Sequence, residues 1–85
     1  MKYALFEAIK EKSDTTGFRD LKPAVETLLL RYGKPSQPST HIVLFDLAND
    51  TAIFGALLFE ADNLRVAYRV HYFQDDPVVF ESHPS

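Results

Sequence analysis

The chain has 85 residues, 46% of them hydrophobic and 25% charged, with a formal net charge of -3 and no cysteine. This is the length and balance of one ordinary globular domain, residues 1–85, with no room for a second core, and the missing cysteines exclude disulfides, cysteine-based zinc sites and cysteine nucleophiles. The acidic balance argues against a general nucleic-acid binder, and no stretch approaches the roughly 18 apolar residues of a membrane span.

Met1 to Lys10 alternates, with Tyr3, Leu5, Glu7 and Ile9 on one side and Ala4, Phe6 and Ala8 on the other, which predicts a strand; a helix running through Lys12 is the competing reading. The same segment is interrupted by Glu7, Lys10, Glu11 and Lys12, unlike a signal peptide, so a cytoplasmic location is expected for this cysteine-free chain. Ser13-Asp14-Thr15-Thr16-Gly17 has the chemistry of a loop. Phe18, Leu21, Val25, Leu28, Leu29 and Tyr32 then recur every three or four residues, the stripe of an amphipathic helix capped by Asp20, with Pro23 in its first turn and Gly33 as its stop. Lys34 to Ser39, with two prolines, predicts a loop or a poor edge strand, and Thr40 to Leu47, β-branched and aromatic, a central strand.

In Asp50 to Ala61 the residues Ile53, Phe54, Leu57, Leu58 and Ala61 share a helical face, Asp50 offers a cap, and Asn63 before Leu64 resembles a left-handed stop. As a strand, this segment would be apolar on both sides and weakened by Gly55, and the fold would become one helix on an antiparallel β-meander. Leu64 to Phe73 predicts a strand with Leu64, Val66, Tyr68, Val70 and Tyr72 on a greasy face and Arg65, Ala67, Arg69, His71 and Phe73 on a basic one. Pro77 to Glu81 predicts a short last strand after the acidic Gln74-Asp75-Asp76, residues 74–85 being a partly flexible tail or a short swapped strand.

The order strand, helix, weak edge strand, strand, helix, strand is that of an α+β ferredoxin-like sandwich, an antiparallel sheet with two helices on one face. Arg65 and Arg69 cannot lie unpaired beneath helices, so Leu64, Val66, Tyr68 and Val70 must point inward, and Ala4, Phe6, Ala8, Val43, Phe45 and Leu47 follow. The open face then carries Tyr3, Leu5, Glu7, Ile9, Ile42, Leu44, Asp46, Arg65, Ala67, Arg69, His71 and Phe73. A chain of this size buries only about 60% of its unfolded surface, so a homodimer is expected, with Leu5, Ile9, Ile42 and Leu44 at a contact and Glu7 and Asp46 answering Arg69 and Arg65.

The candidate binding residues are therefore Leu5, Ile9, Ile42, Leu44, Arg65, Arg69, His71 and Phe73. Glu7 and Asp46, on neighbouring strands, are the pair that a metal-dependent ribonuclease would use to hold magnesium. No resident metal or other cofactor is expected: His41, His71 and His83 lack zinc spacing, and Ser13 to Gly17 lacks the Gly-Lys-Ser/Thr of a phosphate loop. Phe6, Phe18, Phe45, Phe54, Phe59, Tyr68 and Tyr72 read as core rather than as a stacking platform.

Three segments, KYALFEAI, FRDLKPAVETLLLRYG, and STHIVLFDL followed by the helical segment and DNLRVAYRV, give residues 2 to 70 a hydrophobic pattern that resembles the small CRISPR adaptation-subunit family and its antitoxin-ribonuclease relatives. Nuclease-type members close the first strand with an aspartate, where this chain has Ala8 beside Glu7. The resemblance implies a homodimer in which a short C-terminal strand such as Pro77 to Glu81 packs across to the partner. The residues themselves point to a small non-catalytic protein-binding or inhibitory domain, of antitoxin, immunity or phage-borne inhibitor type, acting through the open face or an acidic rim on a protein partner and not on a membrane. A metal-dependent ribonuclease and an RNA-binding module using Arg65, Arg69, His71 and Phe73 are the alternatives.

Overall fold

The alternating segments pair as strands β1 (Tyr3–Ile9), β2 (Ile42–Asp46) and β3 (Ala67–Phe73), antiparallel throughout, in the order β2-β1-β3. Helices α1 (Thr15–Arg31) and α2 (Thr51–Asn63) complete an α+β sandwich of ferredoxin-like type. The computed structural model describes residues 2–37 and 39–74, and the last strand expected at Pro77 to Glu81 lies outside them.

Register sets the layers. Ala4 faces Phe45 on one side and Tyr72 on the other, and Phe6 faces Val43 and Val70. These inward side chains, with Val66, meet Leu21, Val25, Leu28 and Leu29 of α1 and Ile53, Phe54, Leu57 and Ala61 of α2 in one core. Ala8, Leu47, Leu64, Tyr68 and Val70 pack against its margin. Phe6 and Phe45 are its largest wholly buried side chains, and Phe6 and Tyr68 pack ring on ring at 5.4 Å. The inward set read from the sequence is the observed one. The segment from Asp50 to Ala61 is helical, because its apolar residues satisfy one helical face of the core and leave Thr51, Gly55 and Phe59 outward.

Several local signals act elsewhere than expected. Asp14, not Asp20, caps α1: its Oδ2 accepts from the Gly17 amide at 2.9 Å, so the helix begins within the predicted loop and Pro23 stands inside it. Gly33 does end α1, at φ 68°, with the Gly33 and Lys34 amides donating to the Leu30 and Leu29 carbonyls in a Schellman closure. α2 closes in the same way two residues later than expected. Arg65, not Asn63, takes the left-handed conformation (φ 60°), while the Arg65 and Val66 amides donate to Asp62 and Ala61. That turn removes Leu64, Arg65 and Val66 from the strand, and β3 starts at Ala67. Asp50 does not cap α2 with its side chain; Oδ2 accepts from the Asp46 amide at 3.0 Å and Oδ1 forms an ion pair with Lys34. Among the described residues no strand forms between α1 and β2, so the chain returns along the molecule in an irregular crossing. Of the aromatic set assigned to the core, Phe59, on the outward side of α2, is 66% exposed and Tyr72 48%.

Candidate functional site: the open face of the sheet

Odd-numbered residues of β1 and their cross-strand neighbours form the face that no helix covers. The register arranges them in rungs: Asp46, Tyr3 and Phe73; Leu44, Leu5 and His71; Ile42, Glu7 and Arg69; and then Ile9 beside Ala67. Aliphatic side chains therefore gather on the β2 side and polar ones on the β3 side, with β1 between. Leu5, Ile9 and Leu44 are half-buried by their neighbours, and Ile42 is 47% exposed.

The polar side is organised around one carboxylate oxygen. Glu7 Oε1 lies 3.1 Å from His71 Nε2 and 3.4 Å from Arg69 Nη1. The register puts Arg69 directly opposite Glu7 and His71 opposite Leu5, one step along the same face, so both side chains reach the same oxygen. Glu7 thus answers Arg69 as the sequence suggested, and His71 joins it.

Asp46 does not answer Arg65. Its Oδ1 accepts from the Ala48 amide and its Oδ2 from Asn49 Nδ2, each at 3.0 Å, so it organises the turn into α2. Arg65 sits in the turn before β3 and is not on a rung of the face. Glu7 pairs with Ile42 and Asp46 with Tyr3, which separates the two carboxylates by four residues along the strands, about 13 Å at 3.3 Å per residue. Two carboxylates sharing one divalent ion need to lie much closer, and no group of three or more His, Cys, Asp or Glu side chains suited to a metal gathers among the described residues.

The structure also shows a knit corner that the sequence reading treated as a loop. Ser13 Oγ donates to the Ile9 carbonyl at 2.6 Å and accepts from the Ala67 amide at 2.8 Å, tying the end of β1 to the start of β3. The Asp14 amide donates to the Arg65 carbonyl, and Gly17 lies so close to Leu64 that a Cβ would stand 1.8 Å from its carbonyl oxygen. The available signal was Asp14 three residues before Gly17, the spacing of a side-chain cap. His41 has a structural place as well: it stacks on Phe18 at 4.1 Å, with Nε2 3.1 Å from the Phe18 carbonyl. On the helix side, burial and then the charge and hydrogen bond of Asp62 raise the Tyr68 hydroxyl above its ordinary pKa of 10.0. No helix among the described residues is long and apolar enough to cross a membrane. Comparison with protein-family models, curated proteins and solved structures finds no match.

Proposed function

We propose that this chain is a small non-catalytic protein-binding domain that engages its partner through the open sheet face. The observation carrying this reading is the composition of that face: Leu5, Ile9, Ile42 and Leu44 lie together on the side no helix covers, beside a cluster in which Arg69 and His71 already engage the Glu7 carboxylate. An apolar centre with a polar flank is the anatomy of a protein contact, and contiguous uncovered apolar surface of this kind usually marks one. Arginine and histidine engaged by a carboxylate are poorly placed to neutralise phosphates, which favours protein over nucleic acid as the partner. An inhibitory role, of antitoxin, immunity or phage-borne inhibitor type, fits a small acidic chain of this architecture.

The test is capture from the native host's lysate with the wild-type chain and with a Leu5→Lys/Leu44→Lys double variant of unchanged circular dichroism. The wild type should retain a stoichiometric protein that the variant loses; retention of the same protein by both would remove the open face from the reading. Incubation with labelled RNA and magnesium tests the non-catalytic part, since cleavage that disappears in a folded Asp46→Ala variant would overturn it.

A further inference from the structure

The helix layer has a feature of its own, on the side of the molecule opposite the open face. We propose that the groove between α1 and α2 is the contact surface for a second copy of this chain, the two copies packing helix layer against helix layer about a two-fold axis.

The two helices lie antiparallel. Gly17, in the first turn of α1, lies against the Leu64 carbonyl just past the end of α2, and Lys34, just past the end of α1, pairs with Asp50 ahead of α2. Between them, facing away from the sheet, runs a groove of about 530 Å³ lined by Ala24, Thr27 and Leu28 of α1 and by Ala56 and Phe59 of α2. The small side chains of Ala24 and Ala56 leave it open. Phe59, two-thirds exposed, stands on its wall and makes no ring contact among the described residues.

The ends of the groove carry opposite charges. Arg31, the last residue of α1, lies toward the start of α2, and Glu60, near the end of α2, lies toward Pro23. Neither side chain makes an ion pair or a hydrogen bond among the described residues. Glu60 is the more demanding of the two. It is half-buried, and it stands near the C-terminus of a helix whose last turn holds no basic residue, where the helix dipole disfavours an anion. A cation brought from outside the chain would satisfy it, and an anion brought from outside would satisfy Arg31.

A surface that carries both an unanswered cation and an unanswered anion is complementary to itself. A two-fold axis lying in the contact plane, through the middle of the groove and square to the line from Arg31 to Glu60, exchanges the two positions, so that Arg31 of each copy meets Glu60 of the other. Phe59 adjoins Glu60, so the same rotation brings each ring to the Arg31 half of the other copy's groove, where it covers apolar surface and offers its face to the guanidinium. A partner of different sequence would have to supply a cation, an anion and a ring at matching spacing. A second copy carries all three.

Sedimentation equilibrium on the full chain over a rising concentration series tests this, the expected limit being twice the 9.7 kDa of one chain. Phe59→Lys, at an exposed position, should return the single-chain mass with its circular dichroism retained. Arg31→Glu and Glu60→Arg each set like charges against one another in the dimer and should each weaken association at least about tenfold. An equimolar mixture of those two variants should recover it, because one is then acidic and the other basic at both ends of the groove. Leu5→Lys/Leu44→Lys should leave the dimer intact, which separates this surface from the open face. A single-chain mass at millimolar concentration, a mixture no more associated than either charge variant alone, or a dimer that survives Phe59→Lys and is lost in the Leu5/Leu44 variant would each overturn the proposal.

Discussion

Gly17 and Gly33 need to be glycine for different reasons, and substitution separates them. A Cβ on Gly17 would collide with the Leu64 carbonyl at the point where α1 docks on the turn before β3. Gly17→Ala is therefore expected to cost about 3 kcal/mol, the upper part of the overpacking range, seen as a large fall in the thermal midpoint. Gly33 has open space around it and only its φ of 68° to satisfy, so Gly33→Ala should cost about 1 kcal/mol. Arg65 holds a left-handed conformation without being glycine, and Arg65→Gly should stabilise by up to about 1 kcal/mol, measured by urea denaturation. Gly33 was legible in the sequence because a glycine after a helical stripe acts locally. Gly17 was not, since its reason is a carbonyl contributed from the far end of the chain, and Arg65 was hidden because Asn63 nearby is intrinsically the better left-handed residue. Tyr68 adds a pH dependence. Burial, with Asp62 beside it, raises its folded-state pKa above 10.0, so the stabilisation is fully present below pH 10 and is lost as pH rises through the higher folded value. Denaturant melts above pH 10 should show a decline that is shallower in Tyr68→Phe.

At the scale of elements, each helix is fixed at its ends by contacts with something outside it. Ser13 and Asp14 seat the start of α1 against β1 and β3, while Lys34, just past its end, pairs with Asp50 ahead of α2. Lys34→Met would leave the Asp50 carboxylate, 12% exposed, without its cation. The expected loss is roughly 2 kcal/mol, below the range for wholly buried pairs because a third of the Lys34 side chain meets solvent. The existence and type of α1, α2 and all three described strands could be read from periodicity, since a 3.6-residue stripe and a two-residue alternation cannot be satisfied by the same backbone. The boundaries could not. Asp14, Asp20 and Asp50 look equally fit to cap, and which one does so depends on where the preceding strand delivers the chain.

For the whole molecule, the sequence separates an inward from an outward set on the sheet, because charged side chains exclude one face from beneath the helices. It does not give register, and register determined which charges meet. Glu7 found Arg69 because the β1 and β3 pairing sets them opposite, whereas Asp46 was carried to the far rung and bonded into its own turn. The open face contributes little to holding the fold together. Leu44→Lys should therefore change stability by no more than about 0.5 kcal/mol while weakening partner capture, a split between two measurements that a core leucine such as Leu57 would not show.

The central position of β1 also bears on how the molecule is made. β1 precedes both of its partners in the chain, so its ladder with β2 cannot close before Asp46 is in place, nor its ladder with β3 before Phe73. α1 and α2 are built from local contacts and can flicker early, but the sheet must wait for its last edge, which makes this a slow folder for its length, on the order of milliseconds or longer. Until Ile42–Asp46 arrives a ribbon bearing Leu5, Phe6 and Ile9 has no mate, and its other side stays open until Ala67–Phe73 pairs with it.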